Sequence, residues 1–169
     1  MRIRDGQPVR VDIGPHPRFI WWGQDVDDDT RDAVATQATL VRTFPTEDAA
    51  RQHAQRQSWP CGPPETLNVV DVQGVKDYLD RKAIQLDEDA ALTCINLADD
   101  VRYSLHLPQS RSGAARAVYE KLVERQFLYL SDDHRSKAPT RWSTHELNQL
   151  NKMMRSSVRC LETGLAELG

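Results

Sequence analysis

The sequence predicts an α+β protein, in which a small antiparallel sheet of three to four strands at the N-terminus precedes a mainly helical C-terminal part. Two observations support this class. Near the start of the chain, apolar residues alternate with polar ones, as in strands with one buried face. After residue 87, apolar residues recur at spacings of three and four, as in amphipathic helices. Strands followed by helices, without regular alternation, are typical of α+β proteins.

The predicted strands are short segments separated by turns. In QPVRVDI every second residue is apolar, and the following GPHP breaks the strand. Residues 18–23 form the returning strand, in which Trp21 and Trp22 point to opposite faces because successive strand side chains alternate. Residues 39–44 are a predicted third strand, and residues 67–70 a fourth.

Capping residues and apolar spacing predict the helices. Thr46 caps a surface helix that reaches about Gln57. Ser143 and Glu146 form an S-x-x-E capping box at the start of the last helix. The apolar stripe of the helix after residue 87 contains Ala91, Cys94, Ile95, Ala98, Val101 and Leu105, and that of the last helix contains Leu147, Leu150, Met154, Val158, Leu161, Leu165 and Leu168.

The length of 169 residues is sufficient for a single domain that covers residues 1–169. Within it, residues 1–58 form a strand-rich part with one surface helix, and residues 67–169 form the helical part. The internal boundary lies near residues 59–66, because WPCGPPET contains three prolines and a glycine.

Composition and charge exclude several classes of protein. The net charge is −3 and no basic stripe is present, so a nucleic-acid partner is not expected. No apolar run approaches the ~20 residues that a membrane span requires. The start of the chain lacks the apolar region of a secretory signal, and three widely spaced cysteines fit a reducing compartment. We therefore expect a cytoplasmic protein without a membrane partner.

The segment WWGQDVDDDTRD resembles a calcium loop only in its first half. Asp25, Asp27 and Asp29 match the first three ligand positions of D-x-D-x-D. The sixth position, however, is Thr30 where glycine permits the sharp turn, and the twelfth is Thr36 where a bidentate glutamate is needed. The spacing therefore predicts an acidic loop without calcium.

Two other segments also match functional motifs only in part. HELNQ lacks the second histidine of the zinc signature H-E-x-x-H, and SDDH places a serine, two carboxylates and a histidine too close in sequence to form a triad. Glycine-rich phosphate loops and the G-x-S-x-G motif are absent. We therefore predict no catalytic residues, no metal ligands and no cofactor.

Acidic and aromatic residues remain as candidates for binding a partner protein. Asp99 and Asp100 lie in the middle of a predicted helix, where aspartate is a poor helix former. Like charges held close together repel each other unless a basic partner relieves them. The predicted partner-binding residues are Trp22, Asp25, Asp27, Asp28, Asp29, Asp99, Asp100, Asp132 and Asp133.

The order of five segments, and the residue pattern of their helices, resemble those of bacterial immunity proteins. Such proteins are encoded beside polymorphic or contact-dependent toxins. The segments are TFPTEDAARQHA, VVDVQGVKDYL, CINLADDVRYSL, AVYEKLVERQFL and RWSTHELNQLNKMM, and they extend from Thr43 to the C-terminus. The resemblance implies a non-enzymatic inhibitor that binds one cognate toxin. Such toxins are often nucleases or nucleotide-modifying enzymes with basic clefts, over which acidic residues would lie. Trp21 or Trp22 would then provide the apolar anchor.

The sequence also allows two other functions. One is a small enzyme whose site is assembled from distant loops by His106, Asp132, Asp133 and His134. The other is a regulatory or scaffold protein that dimerises through the last helix, with an exposed apolar stripe over residues 147–168 as its mark. The first reading predicts a pocket that unites these side chains. We expect a monomer or a weak homodimer.

Overall fold

The computed structural model of the chain describes residues 3–61, 68–108, 113–130 and 141–165. Within these ranges the strands are β1 (Ile3–Asp12), β2 (Arg18–Asp25), β3 (Asp32–Val34), β4 (Thr36–Gln37), β5 (Leu40–Val41) and β6 (Asn68–Asp71). The helices are α1 (Glu47–Arg56), α2 (Val72–Leu79), α3 (Glu88–Ser104), α4 (Gly113–Leu130) and α5 (Thr144–Gly164).

The predicted α+β class is confirmed by a four-stranded sheet with the order β3-β2-β1-β6, followed by helices. The sheet is mixed rather than antiparallel throughout. β1 pairs antiparallel with β2, but it pairs parallel with β6 on its other side. Parallel neighbours need a long crossover connection, and α1 lies within that connection.

The third strand of the sheet is not the one that the sequence predicts. Of residues 39–44, only Leu40–Val41 are a strand, and they pair with β4 in a separate hairpin. Phe44 forms a single bridge with Phe19. The third position is taken by β3, which pairs with the end of β2. With three residues directly after an acidic run, β3 is too short to show an alternating pattern.

Helices cover both faces of the sheet. On one face, α1 packs over the fully buried Trp21 through Ala50 and Ala54. On the other face, α3 contacts β3 and β6, and Trp22 packs against the larger core that α2, α3 and α5 complete. The prediction that the two tryptophans point to opposite faces is therefore confirmed.

The capping predictions are also confirmed. The side chain of Thr46 accepts a hydrogen bond from the backbone of Ala49 at 3.2 Å. Ser143 and Glu146 form the reciprocal capping box at the start of α5, with distances of 2.7 and 3.2 Å. These bonds satisfy backbone N–H groups that have no partner inside the helix.

The apolar stripe of α5 is buried in the core of the chain itself. Leu150, Met154, Leu161 and Leu165 are at most 1% exposed, and α5 packs mainly on α3. The exposed stripe expected for a dimerising helix is therefore not found over residues 150–165, while Leu168 lies outside the described residues. Most of the predicted internal boundary, residues 62–66, also lies outside them, and the single-domain organisation stays a prediction.

Candidate functional site

The acidic segment after β2 folds as a loop that Asp25 holds in place. Asp25 is 4% exposed. Its Oδ1 accepts a hydrogen bond from the backbone N–H of Asp27 at 3.0 Å, and its Oδ2 accepts one from the Tyr103 hydroxyl at 2.8 Å. Since both oxygens are engaged inside the protein, Asp25 supports the loop and offers almost no surface to a partner.

The next three aspartates lie nearer to solvent. Asp27 and Asp29 are exposed, and Asp28 is half-buried. The carboxylate of Asp28 accepts hydrogen bonds from the side chain of Thr30 at 2.6 Å and from its backbone at 3.0 Å. The side-chain bond from Thr30, followed by the backbone bond, lowers the pKa of Asp28 below its ordinary value. Asp28 therefore stays ionised to a lower pH than an ordinary aspartate.

A groove runs between this loop, α3 and α4, and we call it the Trp22 groove. Its volume is about 730 Å³. Its wall includes a hydrogen bond of 2.8 Å from the Tyr119 hydroxyl to Oδ1 of Asn96. The residues that line it are Trp22, Thr30, Arg31 and Asp32 from the sheet and the acidic loop, Asn96, Asp99 and Asp100 from α3, and Arg116, Tyr119 and Glu120 from α4.

Asp100 is the most perturbed acid in this groove. It is half-buried, and its Oδ2 accepts a hydrogen bond of 3.0 Å from the indole nitrogen of Trp22. Burial and the negative charge of Asp32 raise the pKa of Asp100 to about 7, although the Trp22 hydrogen bond and the charge of Arg31 oppose this rise. The carboxyl group of Asp100 therefore changes between its neutral and its ionised form near neutral pH.

The other acids of the groove differ in how far they are neutralised. Asp99 forms an ion pair of 3.0 Å with Arg102. Glu120 pairs with the exposed Arg116 at 2.9 Å. Within the part of the chain that the structure describes, neither Asp32 nor Asp100 has an ion pair. These two carboxyl groups are therefore the ones available to a cationic group from outside.

The structure brings some of the predicted binding residues together. Trp22, Asp99 and Asp100 line one groove, and the loop of Asp27 to Asp29 joins it through Thr30. Asp132 and Asp133 lie outside the described residues. Sequence reasoning did not select Asp32, although it is the last residue of WWGQDVDDDTRD. Asn96 and Tyr119 were not selected either, because nothing in the sequence marks them as neighbours until α3 is known to pack on α4.

The enzyme alternative stays a prediction. His106 is exposed just after α3. Its proposed partners Asp132, Asp133 and His134 lie outside those residues. Over the same described ranges, no group of three or more potential metal ligands is found, and no helix has both the length and the apolarity to cross a membrane.

No protein-family model and no curated protein matches the chain. One solved structure to which it is similar is the C-terminal domain of SatS, in complex with bromine. The sequence identity is 12% and the TM-score is 0.48, over 96% of this chain and 93% of that domain. A likeness at this level carries no argument about function.

Proposed function

We propose that this chain is a non-catalytic, cytoplasmic protein that binds and neutralises a cognate bacterial toxin, as immunity proteins do. The observation that carries the proposal is the Trp22 groove. It combines two carboxyl groups without an ion pair among the described residues, Asp32 and Asp100, with the aromatic side chain of Trp22.

Such a groove suits a basic side chain from another protein. A guanidinium or ammonium group that enters it would meet Asp32 and Asp100 and the face of an aromatic ring. The half-buried position of Asp100 matters, because ion pairs shielded from water contribute more than exposed ones. Trp22 would add the apolar contact area typical of residues that dominate the energy of protein interfaces.

The charge of the loop before the groove supports the same partner. Asp27, Asp28 and Asp29 lie in the loop that leads to Thr30 at the edge of the groove, and they would attract a basic surface over a distance, which raises the rate of association. Nucleic acid would be repelled by the same charges. The choice of a toxin as the partner rests on the resemblance of residues 43–169 to immunity proteins.

The test is to express the chain with the product of the neighbouring gene. We expect the two proteins to purify as a complex and the chain to protect cells that produce the toxin. The double variant with Asp32→Asn and Asp100→Asn should weaken the complex about tenfold or more, because each substitution removes a carboxyl group that a bound basic side chain would hold in its ionised form.

The matched control is Asp48→Asn. Asp48 is exposed in the first turn of α1, on the opposite face of the sheet, and this substitution removes one negative charge without touching the groove. It should bind like the wild type. Failure of the unmodified chain to bind or protect would contradict the toxin proposal, whereas equal binding by all variants would contradict only the role of the groove.

A further inference from the structure

A second groove lies on another side of the sheet and has the opposite character. It has a volume of about 640 Å³ and lies between the turn after β1, the β4–β5 hairpin and the segment before α1. Its charged or titratable side chains are His16, Arg18 and Arg42, and no carboxylate lines it among the described residues. In a chain with a net charge of −3, such a surface is unexpected.

Arg42 is the central residue of this surface. Its side chain is half-buried and also lines a smaller cavity of about 190 Å³, so it stands between two grooves. Its guanidinium lies 6.0 Å from the centre of the Phe44 ring. With residues in the described ranges, the guanidinium makes no hydrogen bond and no ion pair. A guanidinium has five N–H donors, and it is costly to withdraw them from water without an acceptor.

The smaller cavity places a second titratable group near Arg42. His53 of α1 is 7% exposed and packs between Phe44 and Trp59, with ring centroids 5.3 and 5.5 Å apart. Burial, and then the positive charges of Arg42 and Arg56, lower the pKa of His53. Among the described residues, no carboxylate lines this cavity, so its charges favour a negative group from outside.

Arg18 provides further positive charge at the outer edge. Its Nη1 donates to the backbone carbonyl of Leu165, which fixes the side chain at the end of α5. His16 lies in the exposed turn beside it. The surface thus offers several positively charged or titratable groups to one ligand, which suits the double negative charge of a phosphate better than a single carboxylate.

We propose that this surface, the Arg42 site, binds a phosphate group, either free or carried by a nucleotide, with the guanidinium of Arg42 as the principal donor. Arg42 presents its planar fork to two phosphate oxygens, and Arg18 and His16 contact the part of the ligand nearer to solvent. The site is distinct from the Trp22 groove and does not rest on the toxin proposal.

The experiment follows the NMR signals of His53 in the full chain during titration with inorganic phosphate, pyrophosphate or adenosine monophosphate at constant ionic strength. A bound phosphate should raise the pKa of His53, because it offsets the positive charges of Arg42 and Arg56. A response to inorganic phosphate identifies a site for the free ion. A response to adenosine monophosphate alone identifies phosphate carried by a nucleotide.

Variants test the role of Arg42. Arg42→Gln should weaken binding about tenfold or more, and Arg42→Lys, which keeps the charge but loses the fork, should bind with intermediate affinity. The matched control is Arg159→Gln, at an exposed position of α5, which should bind like the wild type. An equal response to sodium chloride, or unchanged binding by Arg42→Gln, would overturn the proposal.

Discussion

The indole nitrogen of Trp22 donates a hydrogen bond of 3.0 Å to Oδ2 of Asp100, and this contact joins β2 to the C-terminal half of α3. It explains why an aspartate is tolerated at a half-buried helix position, since the bond replaces part of the lost hydration. A single neutral donor does not compensate for burial next to Asp32, so Asp100 holds its proton to a higher pH in the folded protein than in the unfolded chain.

The substitution Asp100→Asn should stabilise the protein at pH 8. The pKa of Asp100 rises from its ordinary value of 3.8 to about 7 on folding, so the folded state binds more protons than the unfolded state in this range. The wild type therefore loses stability as the pH rises from about 4 to 7. Asparagine has no charge to bury and keeps an acceptor for Trp22.

We expect a gain at pH 8 on the order of 2 kcal/mol, less than the full shift implies because the side chain is partly exposed. Urea unfolding at a series of pH values measures it. The difference between variant and wild type should shrink below the ordinary pKa of the carboxyl. A difference that does not change with pH would contradict the raised pKa of Asp100.

Glu88→Gln should destabilise the junction of α3, α4 and the start of α5. Glu88 accepts hydrogen bonds from Arg125 at 2.7 Å twice and from the indole nitrogen of Trp142 at 2.8 Å. The side chains of Glu88 and Arg125 are only 16% and 11% exposed. We expect a loss of about 2 kcal/mol in the free energy of unfolding at pH 7, because the two charge-assisted hydrogen bonds between Glu88 and Arg125 are lost or weakened.

The pH dependence of this loss has a defined sign. Burial alone would raise the pKa of Glu88, but the bonds from Arg125 and Trp142 outweigh it and lower the pKa. The stabilisation is therefore present above the ordinary value of 4.5 and disappears as the pH falls through the lowered folded-state pKa. Glu120→Gln, in an exposed pair with Arg116, is the control and should cost less than ~0.5 kcal/mol.

Gly6→Ala should be among the more damaging small substitutions. A methyl group at this position would lie 2.3 Å from the indole nitrogen of the fully buried Trp21, and no flexible side-chain end is there to yield. We expect a loss of about 3 kcal/mol, typical of overpacking in a core. Thermal unfolding of the two variants measures the loss. The added methyl group of Gly113→Ala would have no atom within 4 Å, so this control should be nearly neutral.

Ser104→Ala should loosen the edge strand β3. The hydroxyl oxygen of Ser104 accepts a buried hydrogen bond of 2.9 Å from the backbone N–H of Val34. Its loss leaves that N–H without a partner, at a cost of about 1–3 kcal/mol. Hydrogen exchange at the Val34 amide should accelerate. Thr93→Ala, which removes an exposed hydroxyl within α3, should leave this exchange rate unchanged.

The parts of the fold that repeat a simple period could be predicted from the sequence. The alternating faces of Trp21 and Trp22, the stripe of α5 and the capping box at Ser143 each depend on neighbours a few positions away, where periodicity carries the information. β3 and the parallel pairing of β6 could not be predicted in this way. Both depend on which distant strand is adjacent, and their three or four residues show no period.

For the candidate site, the sequence could predict which residues are charged but not where their side chains lie in the fold. The sequence marks Asp25 and Asp100 as equivalent acids, but Asp25 is enclosed by its own loop and Tyr103, whereas Asp100 faces a groove. Only the packing of the folded chain determines which of the two aspartates is accessible to a partner. The cationic character around Arg42 was equally hidden, because Arg42 and His53 come from separate elements and meet only when α1 covers the sheet.

The hydrogen bond from Arg18 to the carbonyl of Leu165 spans 147 positions of the chain. α5 also provides much of the cover for α3. The core around α3 is therefore complete only when a segment far from the sheet in sequence has docked, and contacts over so long a separation slow folding.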